Sequence, residues 1–170
     1  MTGFKKIAIA TDGSINSRDA VDAGIELAGV TNATVDAIYV IHSPLTKSNS
    51  SSLSEEGKKA TYYVKKEGEE KGVDVKPVIL EGNPAEKIIE YAEKNDADLV
   101  VMGTKGHSGV KRFLLGSVAE NVVRHSKVPV MIVQSKFTQP VEGKRAGKLS
   151  NEEMREQKLR EKREHVKYPD

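Results

Sequence analysis

Gly103, Gly106, Gly116 and Ser117 stand in the spacing G-x2-G-x9-G-S directly after the apolar run LVVM. Glycines at such a strand exit let the backbone approach an anion and take left-handed conformations, so that several amide N–H groups point into one concavity. Gly116-Ser117 also opens a helical pattern, whose N-terminus adds partial positive charge. The Ser117 hydroxyl can cap that helix or donate to a phosphate, and Lys105, Lys111 and Arg112 lie in the same stretch as available cations. A second group closes the first apolar run, KKIAIAT, where Asp12-Gly13 breaks the pattern. Together these residues point to a phosphate-bearing ligand. The structural alternatives are a surface turn for the glycine stretch and a turn cap for Asp12. His107, inside the glycine stretch, either meets a phosphate or is a plain exposed histidine, and His42, His125 and His165 show no metal-ligand pairing.

The elements that must position these residues alternate regularly. Residues 5–11 form a buried strand of β-branched and small apolar residues, and Ser14 follows as a candidate helix cap. Val21, Gly24, Ile25 and Ala28 recur at helical spacing, with Gly29 as the expected stop. TVDAIYVI (34–41) is a second strand, and the Ser/Asn-rich segment behind it reads as a loop. A charged helix spans about Ser54 to Lys71, and VDVKPVIL (73–80) is a third strand that Pro77 assigns to a sheet edge. Asn83-Pro84 opens a helix with Ala85, Ile88, Ile89 and Ala92 on one face. ADLVVM (97–102) is the fourth strand, Val118, Val122 and Val123 mark a further helix, and VPVMIV (128–133) is the fifth strand. Continuous apolar strands alternating with helices predict a three-layer α/β fold, an open parallel five-stranded sheet with helices on both faces. A ligand in such a sheet belongs at the carboxyl ends of the strands where strand order reverses. If strands one and four are neighbours, Asp12 and Gly103 face one crevice.

Composition narrows the classes of ligand. Aromatic content of 5% without tryptophan removes stacking platforms for bases or sugars, and the absence of cysteine excludes disulfides and thiolate metal sites. Residues 1–134 hold 17 Lys+Arg and 18 Asp+Glu, a net of −1, so the body is near neutral and not a strong polyanion binder. Residues 135–170 hold 10 and 7, a net of +3, mixed in sign. This tail reads as a linker and a charged helix, with Ser150 and Glu153 spaced as a capping box, and its mixed charge argues against nucleic acid as partner. No apolar run reaches membrane length or the core of a signal peptide, so a soluble cytoplasmic protein without membrane contact is expected.

The motif after the fourth strand, together with IAIATDGS, AIYVI, EGNPAEKIIEYAEKNDADLVVMGTKGHSG and LLGSVAENVVRHSKVPVMIV, resembles the nucleotide-binding branch of the universal stress protein family over residues 4–134. The resemblance implies an adenine nucleotide alpha-hydrolase-like sheet of order 3-2-1-4-5, a domain over 1–134, a homodimer through the last strand (128–133), and ATP as ligand. It implies that Ala10 and Thr11 line the adenine side, that Val40 meets the adenine, and that Asp12 lies by the ribose and phosphates. Met102 and Gly103 then flank the nucleotide, while Gly106, Gly116 and Ser117 cradle the phosphates and Val118 follows. Ala10 stands where some relatives have proline. Magnesium accompanying the nucleotide would take phosphate oxygens, water and Asp12 as ligands.

The tail, 135–170, lies outside the resemblance and is a candidate arm for an unknown protein partner. Phosphoryl transfer needs a positioned nucleophile, a metal and charge stabilisation. Phosphate cradling is present, but no residue stands out to orient water and no G-x4-G-K-[ST] sequence occurs. The expected function is therefore a non-catalytic, nucleotide-dependent stress-response regulator, with a slow ATP hydrolase as the alternative. A phosphorylated receiver domain would want an Asp after a middle strand, where this chain has LEGN. An ATP pyrophosphatase would want an SGGxDS-like loop, where it has ATDGS.

Overall fold

The computed structural model describes residues 3–42, 50–105 and 114–136. In chain order these form β1 (Lys6–Ala10), α1 (Ile15–Thr31), β2 (Thr34–Ile41), α2 (Ser50–Glu70), β3 (Val75–Glu81), α3 (Pro84–Lys94), β4 (Leu99–Gly103), α4 (Ser117–His125) and β5 (Val130–Val133). The strands make a five-stranded sheet in the order β3-β2-β1-β4-β5, with every pairing parallel. This is the three-layer α/β architecture and the strand order expected above. Gly106 and His107, and the tail beyond residue 136, lie outside the described residues.

The alternation along β1 builds both layers. Ile7 and Ile9 face α1 and α2, where they join Val35, Leu99 and Val101 of the sheet and Val21, Ile25 and Val64 of the helices. Ala8 and Ala10 face the other way, with Ile38, Val100 and Met102, against Ile88, Ala92, Ala119 and Val122 of α3 and α4. Each fully buried Ile or Val contributes about 1.5–3 kcal/mol relative to exposure, so these two clusters are the main favourable term of the fold.

Local signals set most helix ends. The Asn83 side chain accepts from the Glu86 N–H at 3.2 Å, and Pro84 sits in the first turn of α3, as its missing N–H allows. β3 with its Pro77 is an edge strand. Helix α1, in contrast, continues through Gly29. Asn32 takes the left-handed conformation at φ 53 and its N–H closes on the Ala28 carbonyl. Asparagine tolerates that region, so the glycine was not needed to end the helix. Helix α2 begins at Ser50, ahead of the expected Ser54.

Two polar ties brace the fold, one between neighbouring strands and one between sheet and helix. The Asp98 carboxylate, just before β4, accepts from the Lys5 and Lys6 N–H groups at 2.8 and 2.9 Å, and these bonds hold its carboxyl below the ordinary aspartate value. Asp36, buried in β2, accepts from the Tyr91 hydroxyl of α3 at 3.2 Å. Burial first, and the adjacent Asp36 charge second, push the Tyr91 phenol up to about 12.

Candidate functional site

The chain runs β1, β2, β3 to one side of the sheet and then returns to β4 and β5 on the other, so strand order reverses between β1 and β4. The register Ile9↔Val101 puts Ala10 level with Met102, and Thr11 level with Gly103. On the other flank Ala10 pairs Ile38, and the Thr11 N–H reaches the Ile38 carbonyl at 2.9 Å, which brings Val40 level with Asp12. Ala10, Met102, Val40 and Val118 all belong to the face packed by α3 and α4, with Val40 and Val118 half-buried.

The exit of β1 is a tightly bonded turn. Gly13 adopts φ +76, a left-handed conformation that L side chains rarely take. Its N–H donates to Thr11 Oγ1 at 3.1 Å. Ser14 is the N-cap residue of α1, as expected, yet its hydroxyl does not cap the helix. Both its N–H and its hydroxyl donate to Asp12 Oδ1, at 2.9 and 2.6 Å. Asp12 thereby closes an Asx-type turn, and this half-buried residue is held at the β1 exit by the loop it organises. Across the strand, burial raises the Tyr39 phenol, with the Glu56 and Asp12 carboxylates adding to the shift in that order.

At the exit of β4, the glycines allow close backbone packing without a left-handed turn. Neither Gly103 nor Gly116 has positive φ. What the positions require is room for backbone. A Cβ on Gly103 would lie 3.3 Å from the Asn16 carbonyl oxygen, 3.4 Å from that of Lys105 and 3.7 Å from Ser17 Cα. One on Gly116 would lie 3.3 Å from the Thr104 carbonyl oxygen, the same atom that accepts the Gly116 N–H at 2.7 Å. Thr104 donates its own N–H to Val133 of β5 at 3.1 Å. Gly116 is also the N-cap of α4, so no side chain caps that helix, and Ser117 in its first turn is exposed. The first turn of α1, the exit of β4 and the start of α4 are thus pressed together through two residues without side chains.

Among the sequence-predicted residues, Ala10, Thr11, Asp12, Val40, Met102 and Gly103 meet at the ends of β1, β2 and β4. Gly116, Ser117 and Val118 join them through Thr104. Gly106 and His107 lie in the connection outside the described residues. No group of three or more His, Asp or Glu side chains among the described residues is arranged to hold a metal ion. Also among them, no helix is long and apolar enough to cross a membrane.

A family model described as the universal stress protein family matches residues 3–134. The chain belongs to the universal stress protein family. Universal stress protein MJ0531 of Methanocaldococcus jannaschii is 46% identical over 140 residues, covering 77% of this chain and 82% of that protein. A solved structure of the protein MJ0577, from the same organism, superposes with a TM-score of 0.73 at 33% identity, over 81% of this chain and 100% of that one. A universal stress protein solved in complex with cAMP superposes with a TM-score of 0.63 at 28% identity, over 78% and 98%. The sheet order and helix layers are those of the adenine nucleotide alpha-hydrolase-like fold of these solved universal stress proteins.

Ser17 and Thr104 were not among the expected site residues. Ser17 is 4% exposed and bonded to Thr11, and Thr104 links β4, α4 and β5. The spacing G-S-x-x-S after Asp12 was the available signal for Ser17: three residues beyond the cap, it lies under the loop the cap closes.

Proposed function

We propose that this chain is an ATP-binding regulator of the stress response whose nucleotide sits at the β1/β4 crossover, and that it does not catalyse hydrolysis. The observation that carries the reading is the junction of Asp12, Gly103 and Gly116 beside an uncapped helix start, at the point of the sheet where α/β proteins bind ligands. A similar universal stress protein holds cAMP, which supports an adenine nucleotide as the ligand class.

In this reading Ala10, Thr11 and Val40 form the base side. Asp12 lies at the ribose and phosphates, and Met102 and Gly103 flank the nucleotide. Gly106, Gly116 and Ser117 cradle phosphate, Val118 extends that first turn, and His107 adds a donor. Asp12 offers one carboxylate, so magnesium would be held mainly by phosphate oxygens and water. A homodimer would form through the last strand, 128–133. Support for it is that β5 is a sheet edge whose four residues are all half-buried and apolar. The charged tail, 135–170, would meet a protein partner.

The absence of a Walker A sequence and the engagement of Asp12 with Ser14 favour binding over chemistry. Thermal denaturation with ATP, GTP and AMP, each with and without magnesium, tests the reading. A ligand at a hundred times its dissociation constant stabilises by about 2.7 kcal/mol. ATP should raise the midpoint more than GTP, and Gly106→Val should abolish the shift while the sheet still folds. No shift with any nucleotide, in protein stripped of bound ligand, would overturn it.

A further inference from the structure

The loop between β1 and α1 is held from beneath by one residue on α1. Ser17 is 4% exposed and its Oγ lies 2.9 Å from Thr11 Oγ1 and 2.8 Å from the Ser14 carbonyl oxygen. A serine hydroxyl has a single proton, and a carbonyl oxygen can only accept. The Ser17 proton therefore goes to Ser14, and Thr11 must donate to Ser17. Thr11 Oγ1, with its own proton committed, accepts from the Gly13 N–H at 3.1 Å. The order of donors is fixed along the whole relay: Gly13 N–H to Thr11, Thr11 to Ser17, Ser17 to the Ser14 carbonyl. Ser14 in turn donates twice to Asp12 Oδ1. Successive hydrogen bonds in a buried chain polarise and strengthen one another.

The same residue stands against the other half of the site. Ser17 Cα is 3.7 Å from where a Cβ on Gly103 would be, so the end of β4 rests on the turn of α1 that carries Ser17. We infer that Ser17 is a positioning residue for the nucleotide site. It does not touch the ligand; its hydroxyl fixes the left-handed Gly13 turn and so the place of Asp12, in register with the exit of β4. This rests on the nucleotide-binding reading above. It adds that the β1 loop is built before ligand arrives, so that binding does not bear the cost of ordering it.

Ser17→Ala leaves the Thr11 hydroxyl without its acceptor in a buried site and releases the Ser14 carbonyl from one bond. Loss of about one net hydrogen bond's worth of preorganisation corresponds to roughly tenfold weaker ATP binding. The experiment is calorimetric titration of ATP into the full chain, wild type, Ser17→Ala and Ser17→Thr, with amide hydrogen exchange at Gly13 and Ser14 in the nucleotide-free proteins. The expected result is slow exchange of both amides in the wild type, fast exchange and about tenfold weaker binding in Ser17→Ala, and recovery of both in Ser17→Thr. An Ser17→Ala protein that melts lower but binds ATP as the wild type does would overturn the positioning role. So would fast exchange at Gly13 and Ser14 in the wild type, a measurement that needs no variant to fold. Failure of the wild type to bind ATP would instead overturn the nucleotide reading, and the exchange data alone would then decide whether the relay orders the loop.

Discussion

Replacing Gly103 and Gly29 by alanine makes the same chemical change in two environments, and the structure assigns the two substitutions opposite signs. At Gly103 the new methyl would meet backbone atoms, at 3.3 and 3.4 Å from the Asn16 and Lys105 carbonyl oxygens. Neither oxygen can rotate away, so α1 must shift from β4. Overpacking of this kind costs about 1–3 kcal/mol, offset by about 0.4–1 kcal/mol from the lower entropy of the unfolded alanine chain. The net loss is about 1–2 kcal/mol, or a midpoint lower by about 3–8 °C for a domain of this size. Gly29 lies exposed within α1, and its methyl would meet only Val73 Cγ2 at 3.7 Å, an ordinary contact. There alanine should stabilise by about 0.5–1 kcal/mol, raising the midpoint by about 2–4 °C. Calorimetric melting of both variants, each repeated with ATP, is the assay. Gly103→Ala should also lose most of the ATP-induced shift, whereas Gly29→Ala should keep it. A Gly103→Ala protein as stable as Gly29→Ala would refute the claim that this glycine exists for backbone approach.

Tyr91→Phe should destabilise by about 1–3 kcal/mol, because it leaves the buried Asp36 oxygen without its donor; an unchanged denaturant midpoint would show that water replaces the hydroxyl. The Tyr91 phenol is raised from 10.0 to about 12 in the fold, so its contribution is complete below pH 10 and is lost as pH rises through about 12. An alkaline titration should show that loss in the wild type and not in Tyr91→Phe. Asp98 is shifted downward by the Lys5 and Lys6 amides, so its stabilisation is present above the unfolded value of 3.8 and disappears as pH falls through the lower folded value. Asp98→Ala should accordingly flatten the acid limb of the stability profile. Phosphate release from ATP should stay far below the ordinary enzymatic range of about 1–10³ s⁻¹, and turnover within that range that is lost in Asp12→Ala would establish the hydrolase reading instead.

The sheet was legible because strands buried on both faces read as continuous apolar runs, and the fourth run ends at a glycine the register places beside Thr11. The edge position of β3 followed from the missing N–H of Pro77, and the start of α3 from Asn83-Pro84. The conformations inside the site were less legible. The glycine spacing at Gly103 and Gly116 is open to close backbone approach or to a left-handed turn, and only the folded packing reveals that carbonyl oxygens crowd both, while Gly13 takes the left-handed turn. Ser14 was readable as a cap by position, not by the direction of its hydroxyl, which turns back to Asp12. Ser17 carries a polar side chain on the inward face of an amphipathic helix, and its partner becomes known only when α1 is laid against β1.

The proposed nucleotide site lies between the carboxyl ends of β1 and β4. Isothermal titration of ATP into the nucleotide-stripped full chain, beside Asp12→Ala and Gly116→Val, tests it most directly. Binding to the wild type should be saturable and one-to-one, tighter than for GTP and strongly weakened in both variants. Absence of saturable heat with folded wild-type protein, or equal binding by all three proteins, would contradict it.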